Sequence, residues 1–152
     1  MPDTFTDTAH VRIERHYPNP VAQVWRAWTD PQALSRWFGT DKPGAATLAE
    51  IDLRPGGQYR IVTTLPDGSS NDVSGAYIAV EPLRRLVFTW AWRSTPERVS
   101  RVTIDFSSTG DGTTLCFVHD RFFDEQALRN HARGWPAIFA LLDAELQHPG
   151  EA

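Results

Sequence analysis

Apolar and polar residues alternate along the first regular stretch of the chain. Between His10 and Tyr17, the alternation places Val11, Ile13, Arg15 and Tyr17 on one face of the backbone. A period of two is typical of a strand that is buried on one side, because successive side chains of a strand point to opposite faces. The segment is therefore predicted to be the first β-strand.

Two short helices are predicted to follow this strand. Asn19 can accept hydrogen bonds from the free N–H groups of a helix N-terminus, and Pro20 suits the first helical position. Asp30 and Pro31 repeat the same start signal, and Gly39 ends the second helix. The apolar residues at helical spacing in the two helices are Val21, Val24, Trp25, Trp28, Leu34, Trp37 and Phe38.

The period of the pattern changes after the second helix, and six more strands are predicted. They lie near 46–53, 57–64, 73–81, 85–93, 98–107 and 113–121. Turn sequences separate these segments, among them Pro55-Gly56-Gly57, Pro66-Asp67-Gly68 and Gly110-Asp111-Gly112. Short turns join antiparallel neighbours, so the pattern predicts an antiparallel sheet of about seven strands.

The last predicted element is a long helix from about Asp124 to His148. Asp124 can cap its N-terminus, and Pro149-Gly150 is expected to close it. Proline inside a helix removes a backbone hydrogen bond, so a bend is expected at Pro136. The apolar residues at helical spacing are Leu128, Trp135, Ile138, Phe139, Leu142 and Leu146. Together the elements predict one α+β domain over residues 1–152, with its core at about 10–148.

The parity of each strand indicates which side chains face the long helix. The bulky residues of one parity are Tyr59, Ile61, Leu86, Phe88, Trp90, Trp92, Val102, Ile104, Phe106, Leu115 and Phe117. The same parity brings His119 onto this inner face and places Cys116 and Val118 on the outer face. Two interpretations are open. The rings fill a solid core with polar groups at its rim, or they line a cavity in which a few polar groups orient a ligand.

Composition narrows the class of partner. The chain has 152 residues, with 15 Lys and Arg against 19 Asp and Glu, and its basic residues are scattered along the sequence. A nucleic-acid-binding stripe is therefore not expected. The N-terminus lacks the pattern of a signal peptide, and no apolar run is long enough to span a bilayer, so the protein is expected to be soluble and cytoplasmic. Cys116 is the only cysteine, which excludes an internal disulfide.

Familiar catalytic motifs are absent from the sequence. There is no Gly-rich phosphate loop, no Gly-x-Ser-x-Gly motif and no acidic Ca²⁺ loop, and no cofactor is expected. The histidines stand at 10, 16, 119, 131 and 148, without the spacing of a metal site, so no metal is expected either. A dyad of His119 with Asp52, Glu50 or Arg15 could assemble in the fold, but a structural role for His119 is favoured.

Five segments together resemble one known family. They are Val24-Trp25-Arg26-Ala27-Trp28-Thr29-Asp30-Pro31, Trp37-Phe38-Gly39, Asp52-Leu53-Arg54-Pro55-Gly56-Gly57, Leu86-Val87-Phe88-Thr89-Trp90 and His131-Ala132-Arg133-Gly134-Trp135. They are similar to the homologues of the heat-shock-protein ATPase activator, within the START-like (SRPBCC, helix-grip) superfamily, over about Val11 to Leu146. The resemblance implies a seven-stranded curved antiparallel sheet wrapped around the C-terminal helix, with the two short helices between strands 1 and 2 closing one end of a hydrophobic cavity.

The resemblance also shifts the expected function toward binding of a small hydrophobic molecule. The expected ligand-binding residues are Arg15, Trp37, Tyr59, Trp90, Trp92, His119, Trp135 and Phe139. A polyketide-cyclase-like enzyme, with His119 or Arg15 moving a proton, is one alternative. A co-chaperone-like protein-binding module is another, although full-length activators carry an additional N-terminal domain for which 152 residues leave no room. A homodimer through the outer sheet face is left open.

Overall fold

The computed structural model describes residues 10–40 and 42–147. Strand β1 is followed by two short helices, then by six strands, and a long helix ends the described chain. In order, the elements are β1 (His10–Tyr17), α1 (Val21–Thr29), α2 (Pro31–Trp37), β2 (Ala46–Ile51), β3 (Gln58–Thr64), β4 (Ser70–Glu81), β5 (Arg85–Trp92), β6 (Ser100–Thr109), β7 (Gly112–Asp120) and α3 (Glu125–Gln147).

The seven strands form one antiparallel sheet in the order β1-β7-β6-β5-β4-β3-β2. Strands β2 to β7 pair with their neighbours in sequence, whereas β1 pairs with β7, so that β1 and β2 are the two edges. The chain passes from one edge to the other through α1 and α2. This arrangement confirms the predicted α+β helix-grip fold.

The predicted strand boundaries agree with the structure to within about three residues. The largest difference is at β4, which begins at Ser70 and pairs Ser70 with Thr64 of β3. The pairing of β4 with β5 also shifts between Tyr77 and Ala79, which marks a β-bulge. A bulge increases the local twist of a sheet and bends it.

The predicted N-terminal caps have different outcomes. The side chain of Asp30 accepts a hydrogen bond from the backbone N–H of Ala33, so the predicted cap of α2 is confirmed. The predicted cap of α1 is wrong, because the capping position is Pro20 and no side chain caps it. Asn19 instead donates from Nδ2 to the carbonyl oxygen of Leu146, at 2.7 Å. Its amide therefore binds the C-terminal part of α3.

Helix α3 begins as predicted, directly after Asp124. The backbone N–H of Ala127 donates to Oδ1 of Asp124 at 2.8 Å. The helix continues through Pro136 without ending. His148 and the predicted closing pair Pro149-Gly150 lie outside the described residues. The residues of α3 that are buried are Trp135, Phe139, Leu142 and Leu146.

The inner face of the sheet has the predicted parity. In β7, buried residues alternate with half-buried ones, and Phe117 and His119 are both buried. Cys116 and Val118 lie on the opposite face and are half-buried. Phe117 packs against Trp135 of α3 with 4.5 Å between ring centroids, and against Phe139 at 5.2 Å. The core therefore lies between the sheet and the stripe of α3 that was predicted to face it.

Candidate ligand-binding cleft

A half-enclosed cleft of about 600 Å³ lies between the first half of α3 and strands β3 to β6. The end of α2 and the loops after β5 and β7 complete its walls. Its lining is formed by Phe38, Gly39, Lys42, Ile61, Thr63, Leu65, Asn71, Val73, Trp90, Trp92, Thr95, Arg98, Ser100, Phe122, Phe123, Asp124, Gln126, Ala127, Asn130, His131, Gly134, Trp135, Ala137 and Ile138. A volume of this size is within the range of small-molecule sites.

Three tryptophans form the most aromatic part of the cleft. Trp90 and Trp92 both come from β5. Their rings pack edge to face, with centroids 5.5 Å apart and planes nearly perpendicular. The ring centroid of Trp135, on α3, lies 5.1 Å from that of Trp90. The Nε1 atom of Trp90 is buried and has no hydrogen-bond partner among the described residues. The wall therefore combines large apolar rings with one unused donor.

His119 lies directly behind these rings and is fully buried. Its Nδ1 accepts a hydrogen bond from Nε1 of Trp135 at 2.9 Å. An indole nitrogen can only donate, so Nδ1 carries no proton and the proton of the neutral ring is on Nε2. Nε2 then donates to Oγ of Ser100 at 2.7 Å, and Ser100 donates to the carbonyl oxygen of Trp90 at 3.1 Å. Both nitrogens of His119 are thus engaged in holding the cleft wall.

His131 repeats this arrangement on α3. Its Nδ1 lies 2.7 Å from the carbonyl oxygen of Ala127, which can only accept, so Nδ1 carries the proton. Its Nε2 is then free to accept from Nε1 of Trp92, at 3.1 Å. The bond ties the helix to the end of β5.

Burial keeps both imidazoles neutral. The pKa of His119 is held well below its ordinary value by burial, and proximity to His131 lowers it further. Burial also lowers the pKa of His131, although its bond to the Ala127 carbonyl opposes the shift. The two rings lie 4.8 Å apart, and protonating one would place a charge beside the other.

The mouth of the cleft is more polar than its interior. Lys42 follows α2, and Arg98 comes from the loop between β5 and β6. The guanidinium of Arg98 lies 4.1 Å from the ring centroid of Phe123, which is 59% exposed. This cation–π contact joins the loop before β6 to the loop before α3, on two sides of the mouth.

The flank of α3 that lines the cleft carries several small side chains. Ala127, Gly134 and Ala137 recur on this flank, beside Asn130 and Ile138. A Cβ atom added at Gly134 would meet no other heavy atom within 4 Å. Space therefore remains above the helix backbone at this position.

The predicted site residues fall into two groups. Trp90, Trp92 and Trp135 line the cleft, and His119 supports two of these rings from behind. Trp37 and Phe139 are almost fully buried in the core and do not line it. Tyr59 lines a separate inner cavity of about 20 Å³ and donates to the carbonyl oxygen of Thr89.

Arg15 is not at the cleft. Its Nε lies 3.5 Å from Oδ2 of Asp143, and its guanidinium carbon lies 5.4 Å from the ring centroid of Phe139. Asp143 also accepts a hydrogen bond from the hydroxyl of Tyr17 at 2.7 Å. Arg15 therefore belongs to the contact between β1 and the second half of α3.

The sequence pattern did not identify the residues of the mouth. Lys42, Arg98, Phe122 and Phe123 lie in connections between elements, where neither period applies. His131 and Gly134 were present in the segment that carried the family resemblance, but the pattern gave them no site role. Their position on α3 could have identified them, because both lie on the side of the helix next to the apolar stripe.

None of the described helices is long and apolar enough to cross a membrane. Within residues 10–40 and 42–147, no group of three or more His, Cys, Asp and Glu side chains is placed to hold a metal ion.

Comparison with known proteins gives a family match over most of the chain. The model of the family described as Activator of Hsp90 ATPase homolog 1-like protein matches residues 18–147. No curated protein matches.

Several solved structures have the same fold. Protein NE0264 from Nitrosomonas europaea is 24% identical over 91% of this chain and 94% of its own, with a TM-score of 0.76. CalU16 from Micromonospora echinospora is 32% identical over 92% of this chain and 76% of its own, with a TM-score of 0.69. DynU16, a protein from the dynemicin biosynthetic locus, is 23% identical over 92% of this chain and 48% of its own, with a TM-score of 0.74.

Proposed function

The chain belongs to the family of Activator of Hsp90 ATPase homolog 1-like proteins, and on this premise we propose that it binds a small apolar or amphipathic molecule in the cleft beside α3. The observation that carries the proposal is the cleft itself. It offers about 600 Å³, three tryptophans and an opening to solvent. Burying about 200 Å² of apolar ligand surface there would contribute about 5 kcal/mol before the costs of association.

Binding is favoured over catalysis by the state of the histidines. An acid–base catalyst must reach the substrate with a nitrogen or oxygen that can gain or lose a proton. Both nitrogens of His119 are already hydrogen-bonded behind the wall, and Arg15 lies at the other end of the helix. A cyclase-like reaction would therefore need a different residue from the two that the sequence suggested.

The protein-binding alternative has weaker support. This alternative rests on the family description alone. The likeness to DynU16 favours a small molecule instead, since that protein comes from the dynemicin biosynthetic locus. Its 23% identity supports a shared fold, and the ligand inference is our own.

A neutral fluorescent probe tests the proposal. N-phenyl-1-naphthylamine is apolar and becomes brighter when it leaves water, so titrating it with the protein should give saturable fluorescence. The variant Ala137→Leu adds apolar bulk inside the cleft, whereas Ala140→Leu makes the same change on an exposed face of α3 outside it. Ala137→Leu should weaken probe binding about tenfold or more through steric exclusion, and Ala140→Leu should leave it unchanged.

Thermal unfolding of both variants provides the necessary control. Neither change enters the buried stripe of α3, so both proteins should retain the wild-type melting temperature within about 2 °C. Equal probe binding by wild type and Ala137→Leu, or no saturable binding by any of them, would contradict the proposed site.

A further inference from the structure

The charges around the cleft identify the chemical class of its occupant. We infer that the ligand is an amphipathic acid, with its apolar body against the tryptophans and a carboxylate or similar anion at the mouth, near Lys42 and Arg98. This inference rests on the proposed binding function and adds the polarity and orientation of the ligand.

Lys42 is the first reason. It is the only lysine among the 15 Lys and Arg residues of the chain, and it lines the cleft. Its charge helps to lower the pKa of Asp67, although hydrogen bonds from Ser69 are the larger cause of that shift. No carboxylate of the described residues lies within 4.0 Å of the ammonium group, so it is not held in a close ion pair. A lysine ammonium presents three donors as a compact positive charge. At the rim of an apolar cleft, such a group is available to an anion that enters from solvent.

Arg98 is the second reason. Its guanidinium lies over the ring of Phe123. The carboxylate of Glu97 is also near, with 3.7 Å between Nε of Arg98 and Oε2 of Glu97. That separation is longer than a hydrogen bond. The cation–π contact holds the guanidinium at the mouth, where it lies within ion-pair distance of Glu97 but makes no side-chain hydrogen bond with the described residues. The guanidinium N–H donors match the two oxygens of a carboxylate.

The remaining polar groups do not favour a cation. Among the described residues of the lining, Asp124 is the one that carries a carboxylate, and its Oδ1 accepts from the N–H of Ala127 at the start of α3. His131 is neutral, with both nitrogens engaged. Within the described part of the chain, the lining therefore holds two cationic side chains against one carboxylate that is already bonded to the helix.

The interior determines which end of the ligand lies deeper. Trp90 and Trp135 both line the cleft and are each only 3% exposed, and neither side chain carries a charge. A charge placed against them would lose its hydration without gaining a charged partner, which is costly. At the mouth an anion keeps contact with water and gains Lys42 and Arg98. The ligand is thus oriented with its acid outward.

Two probes of nearly the same shape test this inference. 1-Anilinonaphthalene-8-sulfonate carries an anion that N-phenyl-1-naphthylamine lacks, and each reports binding by its own fluorescence. Wild type should bind the anionic probe more tightly than the neutral one. Lys42→Gln and Arg98→Gln should each lower affinity for the anionic probe about threefold to tenfold, while the neutral probe binds as before.

A matched control separates local charge from net charge. Arg12→Gln removes one positive charge from the exposed face of β1, at the edge of the sheet opposite β2. It should change neither affinity. Naphthalene-2-carboxylate, used as a competitor, should displace the neutral probe more effectively than its methyl ester, which checks that a carboxylate is accepted as well as a sulfonate.

The outcomes distinguish the two levels of the hypothesis. If the neutral probe binds in the cleft but both glutamine variants keep the wild-type ratio of affinities, the acid preference is wrong and the binding function stands. An equal loss in Arg12→Gln would also overturn the acid preference, because net charge would explain it. If neither probe binds wild type, both the inference and the function beneath it fail.

Discussion

At the scale of single residues, the cleft is built from indole–imidazole pairs. Trp135 donates to His119, and Trp92 donates to His131. Each bond sets the tautomer of its histidine and holds a large ring at a fixed angle in the wall. Both ring nitrogens of His119, the candidate for acid–base chemistry in the sequence, are thus engaged in bonds within the fold. Parity could place His119 on the inner face, but it could not reveal which donor would occupy its Nδ1.

The pair Trp135→Phe and Trp90→Phe tests the bond from Trp135 to His119. Both tryptophans are 3% exposed, and both changes replace an indole by a smaller ring. Only Trp135→Phe leaves a buried acceptor, Nδ1 of His119, without its donor. Trp135→Phe should therefore lower the free energy of unfolding by about 1–3 kcal/mol more than Trp90→Phe does. Urea denaturation measures both values, and equal losses would show that the bond contributes little.

At the scale of elements, α3 is fixed mainly at its second half. Asn19 donates to the carbonyl oxygen of Leu146, Tyr17 donates to Asp143, and Arg36 pairs with Glu145 at 3.0 Å. These contacts join the helix to β1, to α2 and to the start of α1. The first half of the helix lies beside the cleft, where Trp92 and His131 supply a bond across to the sheet. The second half of the helix is thus bound to β1 at one edge of the sheet, and the cleft lies beside the first half.

Arg15→Gln distinguishes this structural contact from a ligand contact. The ion pair between Arg15 and Asp143 is partly exposed, with 35% and 37% of the two side chains accessible, so its loss should cost less than about 1 kcal/mol. Affinity for N-phenyl-1-naphthylamine should not change, because Arg15 does not line the cleft. Fluorescence titration of the variant provides the measurement. A loss of affinity of more than about threefold would show that Arg15 contributes to probe binding.

The elements could be predicted from the sequence because their patterns are local. Alternation in β7 and the stripe of α3 from Trp135 to Leu146 gave the inner face correctly. The position of the cleft could not be predicted in this way. The position depends on the distance between the Gly134 side of α3 and strands β3 and β4, and long-range packing sets that distance. The error at Asn19 has the same cause, since its partner, Leu146, lies at the other end of the sequence.

At the scale of the whole molecule, two buried neutral histidines couple stability to pH. A histidine whose pKa is lowered by folding takes up a proton more readily in the unfolded chain. The contribution of such a histidine to the free energy of unfolding is fully present above the pKa of the unfolded chain, about 6.5. It decreases as the pH falls below that value. His119 and His131 both have this sign. Acid should therefore loosen the cleft wall and destabilise the fold together.

His131→Gln tests this linkage. In wild type the free energy of unfolding should decrease from pH 7.5 to pH 5, and each of the two histidines can add a slope of up to about 1.4 kcal/mol per pH unit. The variant lacks one of these histidines, so its free energy of unfolding should decrease less over the same pH range, by the amount that His131 contributes in wild type. Chemical denaturation at several pH values gives both curves. Parallel curves would show that His131 does not contribute to the pH dependence.

The small residues on the flank of α3 have a consequence for divergence among relatives. The flank with Gly134 and Ala137 lies beside the buried stripe but is not part of it. A mutation there alters the shape offered to a ligand without opening a void in the core, and replacing Gly134 also removes a residue that is unfavourable inside a helix. Under the proposed binding function, selection can therefore change the recognised ligand in single steps, without first accumulating compensating changes elsewhere. Among relatives with the same fold, Ala137 is expected to vary more than Gly134, which belongs to the segment that carries the family resemblance.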